Sequence, residues 1–309
     1  MTARSLGVLS STALGLLGLA LTSGGAAAGP ILGLADPYAV LGATGVSTSG
    51  DGATINGSVG SPTAVTGPMT ITGGTLNNAG ASAALSAANA AATFLGGFGS
   101  PLDKSGIDLG GLTLDAGEYK FTSTAFLDGT LTLDAQGNNN AIFIFDIGTA
   151  LISGVNAKVS VINGGSGDGL FWLVGSQATL GDSTILEGNV IAGTAIVLDP
   201  SAEIQCGRAI SNTAVTMSGK TATNPTNLVA INGVPTGCVG GLEGGFDVSG
   251  GTFTRVASGG FVAVPEGGGL GTPPGPVASV PEPSTLALFG GGFVGLLGFG
   301  LRRRRVRLV

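Results

Sequence analysis

Histidine is absent from this chain, cysteine occurs twice, tryptophan once and tyrosine twice. Without histidine there is no imidazole base or ligand, and two cysteines alone cannot close a zinc site, so no metal and no other cofactor is expected. Charged residues make up only 10% of the chain and aromatics 5%. Basic residues are the scarcest: outside the terminal segments Lys104, Lys120, Lys158, Arg208, Lys220 and Arg255 stand against 17 acids, a balance near −11. Such a surface has no electrostatic footprint for nucleic acid. Glycine is abundant, 59 residues in 309, but it follows no three-residue period, which excludes collagen. The 43% hydrophobic content is mostly Ala, Val, Ile and Leu, which suit thin stacked layers better than a bulky centre.

The middle of the chain repeats itself. Residues 184–198 read TILEGNVIAGTAIVL, and nineteen positions later residues 203–217 read EIQCGRAISNTAVTM. Ile185/Ile204, Gly188/Gly207, Ile191/Ile210, Thr194/Thr213 and Ala195/Ala214 coincide, while Val190/Ala209, Ile196/Val215 and Leu198/Met217 are apolar pairs. Short β-branched runs broken by Gly or Asn at a period near twenty predict β-solenoid coils, because one coil cannot bury its own apolar side and a stack can. Strand alternation turns Leu131, Leu133, Val159, Val161, Ile196, Leu198, Val215 and Met217 inward. It leaves Thr132, Ser160, Thr179, Ala195, Val197, Ala214 and Thr216 outward, all small and uncharged. Residues 141–147 (AIFIFDI) fit a strand buried on both faces. The alanine-rich stretch predicts a helix over about 79–95, capped by Asn77 or Asn78 and stopped by Gly96-Gly97. Its stripe of Ala81, Ala84, Leu85, Ala88, Ala91, Ala92 and Leu95 would let it lie close against a flat sheet.

Residues 1–28 combine Arg4, an apolar run and Ala26-Ala27-Ala28, the pattern of a secretory signal peptide. In the oxidising compartment that export implies, Cys206 and Cys238 either pair or stay as two thiols; pairing would pin the following segment onto the repeat. The solenoid is expected over residues 29–238, followed by a Gly/Pro-rich spacer at 239–279 that carries a small hairpin near 246–256. Residues 280–309 hold Pro281-Glu282-Pro283, an apolar stretch at 285–301, and the basic run Arg302, Arg303, Arg304 and Arg305. As a helix, 285–301 would span roughly 25 Å, enough for a thin bilayer, with the arginines stopping it on the cytoplasmic side.

This tail resembles the PEP-CTERM sorting signal of Gram-negative bacteria. The resemblance implies cleavage near Pro281, Glu282 and Pro283 by an exosortase-type membrane protease after transient retention in the inner membrane. Release toward the cell surface or exopolysaccharide would follow.

The body resembles the secreted microbial ice-binding proteins. The resemblance rests on Tyr38-Ala39-Val40-Leu41, residues 57–62 (GSVGSP), 112–119 (LTLDAGEY), 129–134 (GTLTLD), 141–145 (AIFIF), Phe171-Trp172 and Gly207-Arg208-Ala209, with the alanine-rich helix between early and late coils. Leu173 and Ser211 depart from the family's usual residues. The resemblance implies a mainly β fold: a right-handed parallel β-solenoid of triangular section with one long helix alongside. It also implies ice as a partner. Coils stacked about 4.8 Å apart, with alternate residues about 6.7 Å apart, form a rigid grid. Thr carries a methyl and a hydroxyl, so such a grid can order water, whereas charges would draw that water into hydration shells. Thr132, Ser160, Thr179, Thr194, Thr213 and Thr216 are the candidate ice-binding residues. The family pattern Thr-Ala/Gly-x-Thr/Asn is matched at 63–66 and 213–216 and half matched at Thr194-Ala195.

Two other functions compete. The sorting tail fits a structural or adhesive component of the polysaccharide matrix. Parallel β-helices also include polysaccharide lyases, which need a basic proton acceptor and a carboxylate or metal cluster. Here Lys and Arg are scattered, and Asp115, Asp134 and Asp146 lack a calcium-loop spacing. Arg208 falls opposite Asn189 rather than a carboxylate and is expected to hydrogen-bond a turn. Catalysis is therefore not expected.

Overall fold

The computed structural model describes residues 30–165, 167–219, 229–232, 246–249 and 252–255. The predicted signal peptide, Cys238, the Pro-Glu-Pro motif, the apolar stretch 285–301 and the terminal arginines lie outside those residues. Among the described residues no helix is long and apolar enough to cross a membrane.

Three parallel sheets form the sides of a solenoid. Sheet I stacks, in order, Ser58–Gly60, Tyr38–Gly42, Ala209–Ser211, Asn189–Ala192, Gly169–Val174, Ile142–Ile147, Gly117–Phe121 and Leu102–Asp103. Sheet II stacks Val65–Thr66, Gly45–Ser49, Ala214–Ser218, Ile196–Leu198, Ala178–Leu180, Leu151–Ser153 and Ala125–Leu127. Sheet III stacks Met69–Thr72, Ala53–Asn56, Val229–Asn232, Glu203–Gln205, Ile185–Glu187, Lys158–Ile162, Thr130–Asp134 and Thr113–Asp115.

The order holds a feature the repeat did not announce. The first two coils of the chain continue the stack beyond the last one: Val40 pairs with Ala209, Val46 with Val215 and Ile55 with Ile231. The chain then has to travel from one end of the solenoid to the other before resuming at Leu102. Helix α1 (Ala81–Leu95) makes most of that journey, its fifteen residues covering about 22 Å.

α1 lies on the outside of sheet I. Ala81, Ala84, Leu85, Ala88, Ala91 and Leu95 pack with Leu41, Ile144, Phe171, Leu173, Ile191 and Ile210 in one apolar layer. Leu173 lies in this layer, 8% exposed. Asn89 Nδ2 donates to Asn212 Oδ1 at 2.8 Å, fixing the helix to the turn before sheet II. Neither Asn77 nor Asn78 is the N-cap: Gly80 is, without a side-chain bond. Asn77 Oδ1 instead accepts from Gly80 N–H and Asn78 Oδ1 from Ser61 N–H, both at 3.1 Å, tying the helix entry to the second coil of the chain. The small hairpin, Phe246–Ser249 with Thr252–Arg255, sends Phe246 against Phe94 and Phe98 at 5.7 and 5.1 Å between ring centroids.

Inside the coils, all eight residues expected to point inward do so, with only Val161 less than fully buried. Along Ile142–Ile147 the interior covers Phe143, Phe145 and Ile147 and the α1 layer covers Ile142 and Ile144, while Asp146 on the outer face stays partly exposed beside Lys120. Tyr119, Phe145 and Trp172 stack from coil to coil at 5.4 and 4.1 Å, and Trp172 Nε1 donates to the Glu187 carbonyl at 2.9 Å.

The nineteen-residue register holds on sheets I and II but not on sheet III. There Ile204 stands opposite Leu186, not Ile185. The extra residue is absorbed at the next corner, where Cys206 takes a left-handed φ of 52°. The expectation for Arg208 holds in part: it bonds Asn189 Oδ1 at 3.0 Å and the carbonyl of Asp36 in a turn, but it also meets a carboxylate, that of Asp36, at 2.8 Å.

Candidate functional site

With sheet I covered by the helix, sheets II and III present the outer faces, and their chemistry differs. On sheet III, Thr132 is flanked by Thr113 and Ser160, but Lys158, Glu203, Glu187, Asp115 and Asp134 share that face. Burial raises the Glu187 pKa, while a bond from Val161 N–H at 2.9 Å and nearby Lys158 oppose the rise.

Sheet II is different. Its central outward column runs Phe126, Ile152, Thr179, Val197, Thr216, Ser47 and Thr66 across all seven strands. At the corner entering the sheet stands a second column: Ser123, Thr149, Ser176, Thr194, Thr213 and Thr44, joined coil to coil by backbone bonds of 2.7–3.4 Å. Thr63 extends it, since Val65 two residues on pairs with Val46. Between the columns lie Thr124, Ala150, Gln177, Ala195, Ala214, Gly45 and Ala64. None of these 21 positions carries a charge. Asp128 and Asp199 stand only at the edge leading to sheet III.

Local sequence explains the flatness. Gly148, Gly175 and Gly193 precede Thr149, Ser176 and Thr194 and stack at the corner. A Cβ at Gly193 would lie 2.3 Å from the Gly175 carbonyl oxygen, so only glycine lets the coils close to sheet spacing there. Several hydroxyls are held in place. Thr124 and Thr149 share a bond of 3.0 Å, Gln177 Nε2 donates to Thr179 Oγ1 at 2.8 Å, and Ser47 Oγ donates to Thr216 Oγ1 at 3.5 Å. Ser211 is buried beneath: its hydroxyl donates to the Thr194 carbonyl and accepts from Thr213 N–H at 3.0 Å.

The candidate residues are thus divided. Thr179, Thr194, Thr213 and Thr216 come together on sheet II, whereas Thr132 and Ser160 stand on sheet III. The two pattern matches at 63–66 and 213–216 lie two strands apart on sheet II, with 44–47 between them. Sequence reading missed Thr44, Ser47, Thr149 and Ser176. A signal existed for two of them, the Gly-Thr and Gly-Ser pairs at 148–149 and 175–176.

The acids form no common site. Asp115 and Asp134 are neighbours on sheet III, and Asp146 is on sheet I, 3.3 Å from Lys120. Among the described residues no group of three His, Cys, Asp or Glu could hold a metal.

Known proteins share this architecture. The chain is 39% identical over 209 residues to an ice-binding protein of Nostoc sp. (strain HG1), covering 66% of this chain and 77% of that one. The crystal structure of an ice-binding protein from the Antarctic ascomycete Antarctomyces psychrotrophicus superposes with a TM-score of 0.59 at 34% identity, over 66% of this chain and 98% of that one. An ice binding protein from an Antarctic biological consortium gives 0.57 at 31%, over 73% and 96%. Residues 279–305 match the PEP-CTERM protein-sorting motif. Residues 40–223 match the ice-binding-like family, and with its three stacked sheets and flanking helix the chain belongs to that family.

Proposed function

We propose that this is an ice-binding protein, exported and displayed at or released from the cell surface, and that sheet II is the face that meets ice. One observation carries the reading: seven rungs lie on a rigid face with no charge among them, hydroxyls, methyls and methylenes apart from the Phe126 ring at one end. Side chains there repeat about every 4.8 Å along the stack, so water bound at one rung is in step with water at the next. The hydroxyls anchor that water, and the methyls of Thr, Ala and Val leave it no competing partner. Sheet III holds water by charge instead, which favours hydration shells over a lattice.

The ice-binding names of the relatives support this reading, and the sorting motif supports export and exosortase processing. Retention by exopolysaccharide after cleavage belongs to the same proposal. Catalysis is no part of it, since the face holds no titratable side chain. The test is thermal hysteresis and ice-recrystallisation inhibition by residues 30–262, which keep the hairpin that Phe246 anchors. Faceted ice crystals and slowed recrystallisation at micromolar protein are expected. Ice that grows as in buffer would reject the reading and leave a matrix role.

A further inference from the structure

Arg208 is sealed in the fold, its side chain 1% exposed. Nε and Nη2 both donate to the Asp36 carbonyl, at 2.8 and 2.6 Å, and Nη2 also meets Asp36 Oδ1 at 2.8 Å. Nη1 reaches the other way, to Asn189 Oδ1 at 3.0 Å. The two partners belong to different parts of the chain. Asn189 opens a strand of the preceding coil, and Asp36 stands just before Tyr38–Gly42, the first strand of all.

The seam between those parts begins one residue past the guanidinium, where Ala209 pairs with Val40. It continues around the corner onto sheet II, where Gly45, Val46 and Ser47 pair with Ala214, Val215 and Thr216. No covalent link crosses it. Coils 38–72 are joined to the later coils only by way of α1, so their register on the stack has to be set by contacts. A planar guanidinium with several fixed donors can meet a carbonyl, a carboxylate and an amide at once, which an ammonium cannot.

We propose that Arg208 is a positioning residue for the hydroxyl face: by clamping Asp36 to Asn189 it sets the two N-terminal rungs in line with the five that follow. That the face meets ice rests on the function proposed above; the clamp does not.

The experiment compares the full-length chain in mild detergent with Arg208→Met and Arg208→Lys, reading amide hydrogen exchange by mass spectrometry alongside ice-recrystallisation inhibition. Arg208→Met should raise exchange in residues 38–60 by about tenfold or more while residues 142–198 keep their protection. The concentration needed to stop recrystallisation should rise severalfold as the face shortens. Arg208→Lys should restore part of both. Equal acceleration in all coils, or unchanged protection of 38–60, would overturn the clamp. If Arg208→Met does not fold, Asp36→Ala removes only the carboxylate and should loosen the same segment to a smaller degree; no selective loosening there counts against the proposal. Should the unaltered chain leave ice untouched, the functional reading falls, and the exchange pattern still decides the clamp.

Discussion

Thr44 sits directly on Thr213, its N–H donating to the Thr213 carbonyl at 2.8 Å, although most of the solenoid lies between them in sequence. Three residues further along each coil, Ser47 and Thr216 repeat the relationship through their hydroxyls. The hydroxyl face is therefore assembled from both ends of the described chain, with two rungs from the first coils and five from the later ones.

The corner glycines should be intolerant of any side chain. Gly193→Ala places a methyl against the Gly175 carbonyl, and Gly175→Ala does the same against Gly148. Each should cost about 1–3 kcal/mol through overpacking. Thermal unfolding followed by circular dichroism checks this; an unchanged midpoint would mean that the corner can open freely.

The interior stack should matter more than any surface position. Trp172→Ala removes a fully buried ring between Phe145 and the Glu187 carbonyl, and should cost about 3–5 kcal/mol. Trp172→Phe should cost less, losing mainly the hydrogen bond. Denaturant midpoints of the two variants check the order.

Stability should fall as pH rises toward neutrality because of Glu118. Burial, then the charge of Asp146, pushes its pKa up to about 7, against the pull of Lys120, and its Oε2 lacks a hydrogen-bond partner. The folded state therefore holds a proton that the unfolded chain releases around its ordinary pKa of 4.5, so the group's contribution is full below that and is lost as pH rises through 7. Glu118→Gln should raise the unfolding midpoint by a few degrees at pH 8, roughly 1 kcal/mol after allowing for solvent screening, and by almost nothing at pH 4. An equal rise at both would assign the effect to packing.

Activity on ice should ignore that titration. No side chain on sheet II ionises between pH 4 and 9, so recrystallisation inhibition should stay level across the range wherever the fold is intact. A step near neutrality would implicate a group on another face.

Much of this was legible because neighbouring coils are also neighbours in sequence. The match of Thr194-Ala195 with Thr213-Ala214 is a direct record of one coil lying on the next, and the helix stripe records the sheet beneath it. Three things escaped for physical reasons. Alternation separates inside from outside but cannot say which side of a three-sided coil a residue occupies, so Thr132 and Ser160 were grouped with Thr179. A one-residue corner insertion at Cys206 preserves hydrophobicity and so left the Ile185/Ile204 pairing looking sound. The docking of the first coils on the last is a long-range event with no local signature beyond Arg208, whose partner Asp36 lies 172 residues away.

Ice-affinity partitioning of residues 30–262 with single tyrosines on each face tests the central claim most directly. Thr179→Tyr and Thr216→Tyr put a bulky ring on sheet II and should lower the fraction captured by growing ice about tenfold, a loss of about 1.4 kcal/mol, while Thr132→Tyr on sheet III leaves it unchanged. Capture abolished by Thr132→Tyr and untouched by Thr179→Tyr and Thr216→Tyr would contradict the account.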